Sequence, residues 1–158
     1  MTDRHTQEQR SHNMRRIRAV GTAPEQRVRR IAHALGFRFR LHRKDLPGTP
    51  DLVFPRHRKA VFVHGCFWHQ HPGCRYACLP ATRQDYWLPK LARNAERDAE
   101  VRTALEANGW RVLEIWECQT RDLELVRQLL WHFFNTPPPL QSTTLCGGFP
   151  AAGTYKSC

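Results

Sequence analysis

Acidic side chains are scarce in this chain. Only 14 of its 158 residues are Asp or Glu, against 25 Lys or Arg, which leaves a formal charge of +11. That deficit argues against a cationic partner and for a polyanion, because each phosphate contact releases condensed counterions. Lysine is scarce as well. Lys44, Lys59, Lys90 and Lys156 are the only four, and the other basic residues are arginines, whose planar fork suits bidentate contact with phosphates and base edges. There is no apolar run long enough to span a bilayer, and the N-terminus lacks the apolar segment of a signal peptide. The expectation is a cytoplasmic protein with no membrane partner. In such a reducing compartment the six cysteines point to metal binding or catalysis before disulfides.

The positive charge is concentrated near the start. Twelve of the 25 basic residues precede Asp45, opposed there by only Asp3, Glu8 and Glu25. Residues 1–20 read as a basic arm or short helix, with Met14, Ile17 and Val20 at helical spacing around Arg15 and Arg16. Residues 136–158 hold four prolines, three glycines and one charge, Lys156, without periodicity; this composition predicts a disordered tail. Between them, residues 21–135 carry the patterns of one domain.

Within that domain, Thr22-Ala23-Pro24-Glu25 is a capping box with proline in the first turn. Val28, Ile31, Ala32 and Leu35 continue it as a helix that Gly36 stops. Phe37, Phe39 and Leu41 alternate with arginines and predict a half-buried strand. Asp51–Phe54 and Lys59–His64 read as two strands joined by a hairpin turn over Pro55–Arg58. A loop runs from Gly65 to about Arg83. The long helix after it is expected to turn Leu88, Leu91, Ala92, Ala95, Ala99, Val101 and Leu105 inward and to end at Asn108-Gly109. Trp110–Trp116 reads as a buried strand and Asp122–Asn135 as the last helix. The fold class is α/β, a mixed central sheet flanked by helices.

The densest chemistry follows the third strand, in Val63-His64-Gly65-Cys66-Phe67-Trp68-His69-Gln70-His71-Pro72-Gly73-Cys74. Cys66, His71 and Cys74 offer three soft or borderline ligands, and Cys118, just past the last strand, offers a fourth. Strands ending at one sheet edge bring such groups together, and a Cys3His set suits a tetrahedral structural Zn²⁺. Cys78 competes for a place in that set, while Cys146 and Cys158 fall in the tail. Asp51 opens the strand that forms a hairpin with Lys59–His64. This carboxylate, a strand carbonyl and the histidines nearby can hold Mg²⁺ against a phosphate. The adjacent aromatics Phe67 and Trp68 read either as core or as stacking groups for bases.

Together with Pro80-Ala81-Thr82-Arg83, Asn94-Ala95-Glu96-Arg97-Asp98, Gly109-Trp110-Arg111-Val112 and Trp116-Glu117-Cys118, these residues resemble the very short patch repair (Vsr) endonucleases over residues 8 to 135. The resemblance implies a restriction-endonuclease-like fold with a structural zinc. It implies Mg²⁺-dependent nicking of one DNA strand beside the thymine of a T:G mismatch, the lesion left by deamination of 5-methylcytosine. Asp51 and the main-chain carbonyl of Val63 would then hold Mg²⁺, and Cys66, His71, Cys74 and Cys118 would hold Zn²⁺. His69 resembles the general base and His64 a second essential histidine. Glu25 resembles a residue orienting a metal-bound water, in addition to its part in the helix cap. Phe67 and Trp68 match an aromatic wedge, and Met14 with Arg15 and Arg16 a clamp on the minor-groove side. The implied partners are duplex DNA with a T:G mismatch and a mismatch-repair matchmaker protein, the enzyme acting as a monomer at the bacterial nucleoid. Two other readings fit part of the pattern: a restriction-type endonuclease that cuts undamaged sites, and a zinc-stabilised nucleic-acid-binding module without catalysis.

Overall fold

The computed structural model describes residues 20–137. The basic arm with Met14, Arg15 and Arg16, and the tail from 138 onward, lie outside the described residues.

Helix α1, Ala23–Ala34, starts as its cap predicts. Thr22 Oγ1 accepts from the Glu25 N–H, and the Glu25 carboxylate accepts from the backbone N–H of Thr22. The helix ends at Leu35, and Gly36 follows at φ +86°, a left-handed conformation that costs glycine little.

Four strands form one sheet in the order β1 (Arg40–Leu41), β2 (Leu52–Phe54), β3 (Lys59–His64), β4 (Arg111–Trp116). The first two pairings are antiparallel and β3 with β4 is parallel, so the sheet is mixed. The parallel pair needs a crossover, supplied by helix α2, Gln84–Ala107. Helix α3, Leu123–Asn135, closes the fold; Asp122 caps it by accepting from the N–H groups of Glu124 and Leu125 at 3.0 Å each.

Strand alternation sends side chains to two cores. Leu52, Phe54, Val61 and Ile115 pack with Val28 and Ala32 of α1 and with Val126, Leu130 and Phe133 of α3. Val53, Ala60 and Phe62 pack on the other face with Leu105 of α2 and with Trp110. The result is a mixed sheet between helical layers. Phe54 is fully buried and meets the rings of Phe37, Phe39 and Phe134; truncating such a residue to alanine costs roughly 3–5 kcal/mol. Lys59 is also buried. Its Nζ donates to the carbonyls of Phe133 at 2.9 Å and Phe134 at 3.0 Å, so it serves the unpaired end of α3.

Three elements differ from the sequence pattern. The strand predicted over Phe37–Leu41 pairs only at Arg40 and Leu41, and Leu41 is exposed. The ladder is short because β2 gives way to Pro55, which has no N–H to extend it. Phe37 instead stacks on Phe134, ring centroids 3.7 Å apart. Strand β4 begins at Arg111, and only Ile115 within it is buried, because it is an edge strand and not a central one. In α2, Leu88, Ala92, Ala95 and Ala99 are exposed, and the inward line runs through Trp87, Leu91, Asn94, Asp98, Val101 and Leu105. Packing against a polar site selected that mixed face over the more apolar one.

Candidate active site and metal centre

The sheet topology gathers the site. In the parallel register His64 faces Trp116, so β3 and β4 end together. Cys66 lies two residues beyond His64, and Cys118 two residues beyond Trp116. Equal offsets past a common edge bring the two cysteines side by side. The turns after β3, with His71 N–H donating to the Cys66 carbonyl at 3.0 Å and Cys74 N–H to the His71 carbonyl at 3.2 Å, fold the remaining two residues onto them. One ligand atom from each of Cys66, His71, Cys74 and Cys118 falls within 4.8 Å of the others. Cys78 is outside this cluster.

His71 turns Nδ1 toward the sulfurs, 3.4 Å from Cys118 Sγ and 3.8 Å from Cys66 Sγ, while its ring stacks on Trp116 at 4.2 Å. Burial, together with the neighbouring thiols, pushes the Cys66 thiol up to about 12, and burial raises Cys118. Thiols so disfavoured as anions need a cation to ionise. Three sulfurs and one imidazole at this spacing fit a soft or borderline metal.

Asp51 stands at the same edge, because β2 runs antiparallel to β3 and its start lies beside the end of β3. Asp51 Oδ2 accepts from the Val63 N–H at 2.8 Å. Leu52 is paired with Val61, so two residues further along the same register Val63 stands opposite Pro50. Proline has no N–H for the Val63 carbonyl, which leaves that oxygen on the Asp51 side without a ladder donor. Burial, with Glu25 nearby, holds the Asp51 carboxyl up at about 6. Glu25, His42 and Asp51 bring ligand atoms within 4.8 Å of one another. The Glu25 carboxylate is itself buried and accepts from Gly21 N–H and Arg29 Nη2 as well as from the cap.

His64 and His69 lie beside the thiol cluster, their rings stacked 4.0 Å apart and 7° from parallel. Burial, and His69 alongside, hold His64 down at about 4, so it is neutral at pH 7. His69 Nδ1 is hydrogen-bonded to Asp98 Oδ2 from α2. The carboxylate can only accept, so Nδ1 carries a proton, and in the neutral ring Nε2 is the nitrogen with the lone pair. That is the arrangement of an oriented general base.

Phe67 and Trp68 belong to neither core cluster. They meet edge to face at 5.1 Å, and Trp87 of α2 joins them at 5.4 Å from Phe67 and 5.9 Å from Trp68. Asn94 Nδ2 donates to the Trp68 carbonyl at 3.0 Å, pinning this loop to α2. Gly65 lets the ring sit close: a Cβ there would stand 3.2 Å from Trp68 Cδ1, so the indole would have to give by a few tenths of an ångström. Lys90 Nζ lies 5.6 Å from the Trp68 and Trp87 rings.

The structure thus places Asp51, Glu25, Val63, His64, His69, the four sulfur and imidazole ligands and both aromatics at one end of the sheet. The roles of Asp98, Asn94, Trp87, His42 and Arg29 were not legible in the sequence. The first three share one face of α2, seven residues from Trp87 to Asn94 and four from Asn94 to Asp98, a mixed stripe that a search for apolar periodicity passes over.

What fold and site define is an α/β protein whose sheet edge carries clusters of side chains able to hold a metal beside a half-buried aromatic group. The family model described as DNA mismatch endonuclease Vsr matches residues 2–75. The chain is 54% identical over 123 residues to the type II nicking enzyme V.XorIIP of Xanthomonas oryzae pv. oryzae, covering 78% of this chain and 90% of that one. It is 44% identical over 124 residues to the DNA mismatch endonuclease Vsr of Escherichia coli, covering 78% and 79%. It is 38% identical over 130 residues to the type II nicking enzyme V.NmeAIP of Neisseria meningitidis, covering 82% and 92%. The chain belongs to the Vsr family of DNA endonucleases.

Proposed function

We propose that this protein nicks one strand of duplex DNA beside the thymine of a T:G mismatch, by Mg²⁺-dependent hydrolysis of a phosphodiester, in very short patch repair. The observation that carries the reading is the convergence of Asp51, the Asp98-oriented His69 and the Phe67–Trp68–Trp87 group at one sheet edge. A binding module has no use for an oriented base. An enzyme for undamaged sites has little use for half-buried aromatics outside both cores and beside its catalytic residues.

Asp51 and the Val63 carbonyl are the residues that would hold Mg²⁺. When bound, the ion supplies charge stabilisation at the phosphate and lowers the pKa of an attacking water. His69 Nε2 takes a proton from that water as its oxygen bonds to phosphorus and one P–O ester bond breaks; the departing oxygen takes a proton from solvent. Asp98 stabilises the imidazolium that forms. His64, neutral and stacked on His69, keeps the base in place without adding a competing charge. The four ligands Cys66, His71, Cys74 and Cys118 would hold a structural Zn²⁺ that ties the ends of β3 and β4 to the loop bearing the aromatics.

Discrimination rests with those aromatics. Stacking on bases is worth about 1–3 kcal/mol per base, and opening the duplex costs a few kcal/mol, least at a mismatch. The basic arm with Met14, Arg15 and Arg16 would hold the backbone from the minor-groove side. The same reading gives the chain a restriction-endonuclease-like fold, a monomeric state, a mismatch-repair matchmaker as a second partner, and a place at the bacterial nucleoid. No described helix is long and apolar enough to cross a membrane. Nicking of T:G and fully paired duplexes with and without Mg²⁺ tests the proposal. Cleavage of both duplexes alike would favour the restriction-type reading, and binding without cleavage the non-catalytic module.

A further inference from the structure

Two residues beside Asp51 take no part in the hydrolysis proposed for this site. Arg29, on α1, donates through Nη2 to Glu25 Oε2 at 2.7 Å and contacts His42 Nε2 at 2.9 Å. A guanidinium has no acceptor. In this contact His42 Nε2 therefore accepts, and the ring's one proton sits on Nδ1. A protonated ring nitrogen has no lone pair for a metal, so the Arg29 contact removes His42 from the ligand set that Glu25, His42 and Asp51 otherwise suggest. His42 is held at φ +44°, a left-handed backbone that few side chains adopt. Arg29 also buries an Nε that lacks a partner. Both features are costs, and sites that position reactive groups are where such costs persist.

His42 Nδ1 lies 3.9 Å from Asp51 Oδ1. That is too long for a hydrogen bond and suits one water bonded to both. We infer that Arg29 and His42 are positioning residues: Arg29 fixes the ring proton on Nδ1, and His42 holds a water against Asp51 Oδ1. Asp51 is then steadied from both sides, through Oδ2 by the Val63 N–H and through Oδ1 by this water. The inference rests on the nicking role proposed for Asp51, but its structural half stands apart from activity.

Nitrogen NMR of the His42 ring reads the proton directly. Wild-type protein should show a protonated Nδ1 and a bare Nε2, and Arg29→Met should lose that preference. In nicking assays His42→Ala should lower kcat roughly 10–100-fold, the range for partners that orient a metal ligand, with KM little changed. His42→Asn should restore most of kcat, since its amide N–H takes the place of Nδ1 and asparagine tolerates a positive φ. Matched melting temperatures would show that the variants are folded. A proton on Nε2 in the wild type, or asparagine behaving like alanine, overturns the inference. A wild-type protein that fails to nick T:G duplex refutes the function instead, and the ring spectrum still decides the tautomer.

Discussion

His69 and Asp98, 29 residues apart in the chain, share a hydrogen bond between Nδ1 and Oδ2. The loop after β3 supplies one partner and the middle of α2 the other, so the crossover helix that completes the parallel sheet also orients the His69 ring. Asp98→Asn keeps the size of the side chain and removes the charge that favours the productive tautomer. Nicking of a T:G duplex should fall by roughly 10²–10⁴ in single-turnover rate, judged by losses seen when the orienting acid of such a pair is changed. Binding of the duplex should persist. A variant that nicks near the wild-type rate would show that His69 is not the base or needs no orienter.

Asp51→Asn should abolish nicking and stabilise the metal-free protein. The folded-state pKa of Asp51 is raised to about 6 from 3.8, so its ionisation opposes folding. The penalty is absent below about pH 4, grows between pH 4 and 6, and is complete above 6. A rise of that size amounts to roughly 3 kcal/mol. Asparagine still accepts from the Val63 N–H. Melting temperatures measured in chelator should therefore rise in the variant at pH 7.5 and converge with the wild type near pH 4. A variant less stable than the wild type at pH 7.5 would refute this account of the buried carboxylate.

Metal analysis of the purified protein should find about one zinc per chain on the four-ligand scheme. Cys66→Ser or Cys118→Ser should lose the metal and unfold the loop or the domain, because structural zinc contributes folding free energy directly. Both thiols are raised by burial, so zinc uptake by the metal-free protein should release protons, measurable as a buffer-dependent heat. A zinc-free protein that is folded and active would refute the assignment.

Trp68→Ala and Trp87→Ala should weaken binding to T:G duplex far more than to matched duplex, since only the mismatch opens cheaply. Arg15→Ala or Arg16→Ala should weaken both about equally and flatten the salt dependence by up to roughly one unit of slope for each phosphate no longer neutralised. Affinities on the two duplexes across a salt series decide the matter. Equal losses on both for the tryptophan variants would place mismatch reading elsewhere.

Much of the site was legible in sequence because its parts are local. The string from Val63 to Cys74 carries a strand end, a turn, three of the four residues proposed to hold zinc, the proposed base and two aromatics within twelve residues. The cap of α1 was equally plain, since Thr22 and Glu25 satisfy each other's backbone within one turn. Charge alone pointed to a polyanionic partner. What sequence could not supply was anything requiring two distant segments to be seen side by side. The parallel register that sets Cys118 beside Cys66, the α2 face that brings Asp98 to His69 and Trp87 to Trp68, and the Arg29 contact that fixes the His42 ring all depend on how elements pack. Periodicity identified α2 as a helix but turned its apolar face inward, whereas the tertiary structure buries the stripe with Asn94 and Asp98. Local hydrogen bonds and turn preferences act within a few residues and leave their mark on the sequence. The choice between two faces of one helix is settled by what the neighbouring elements present to it, and that exists only once the chain has folded.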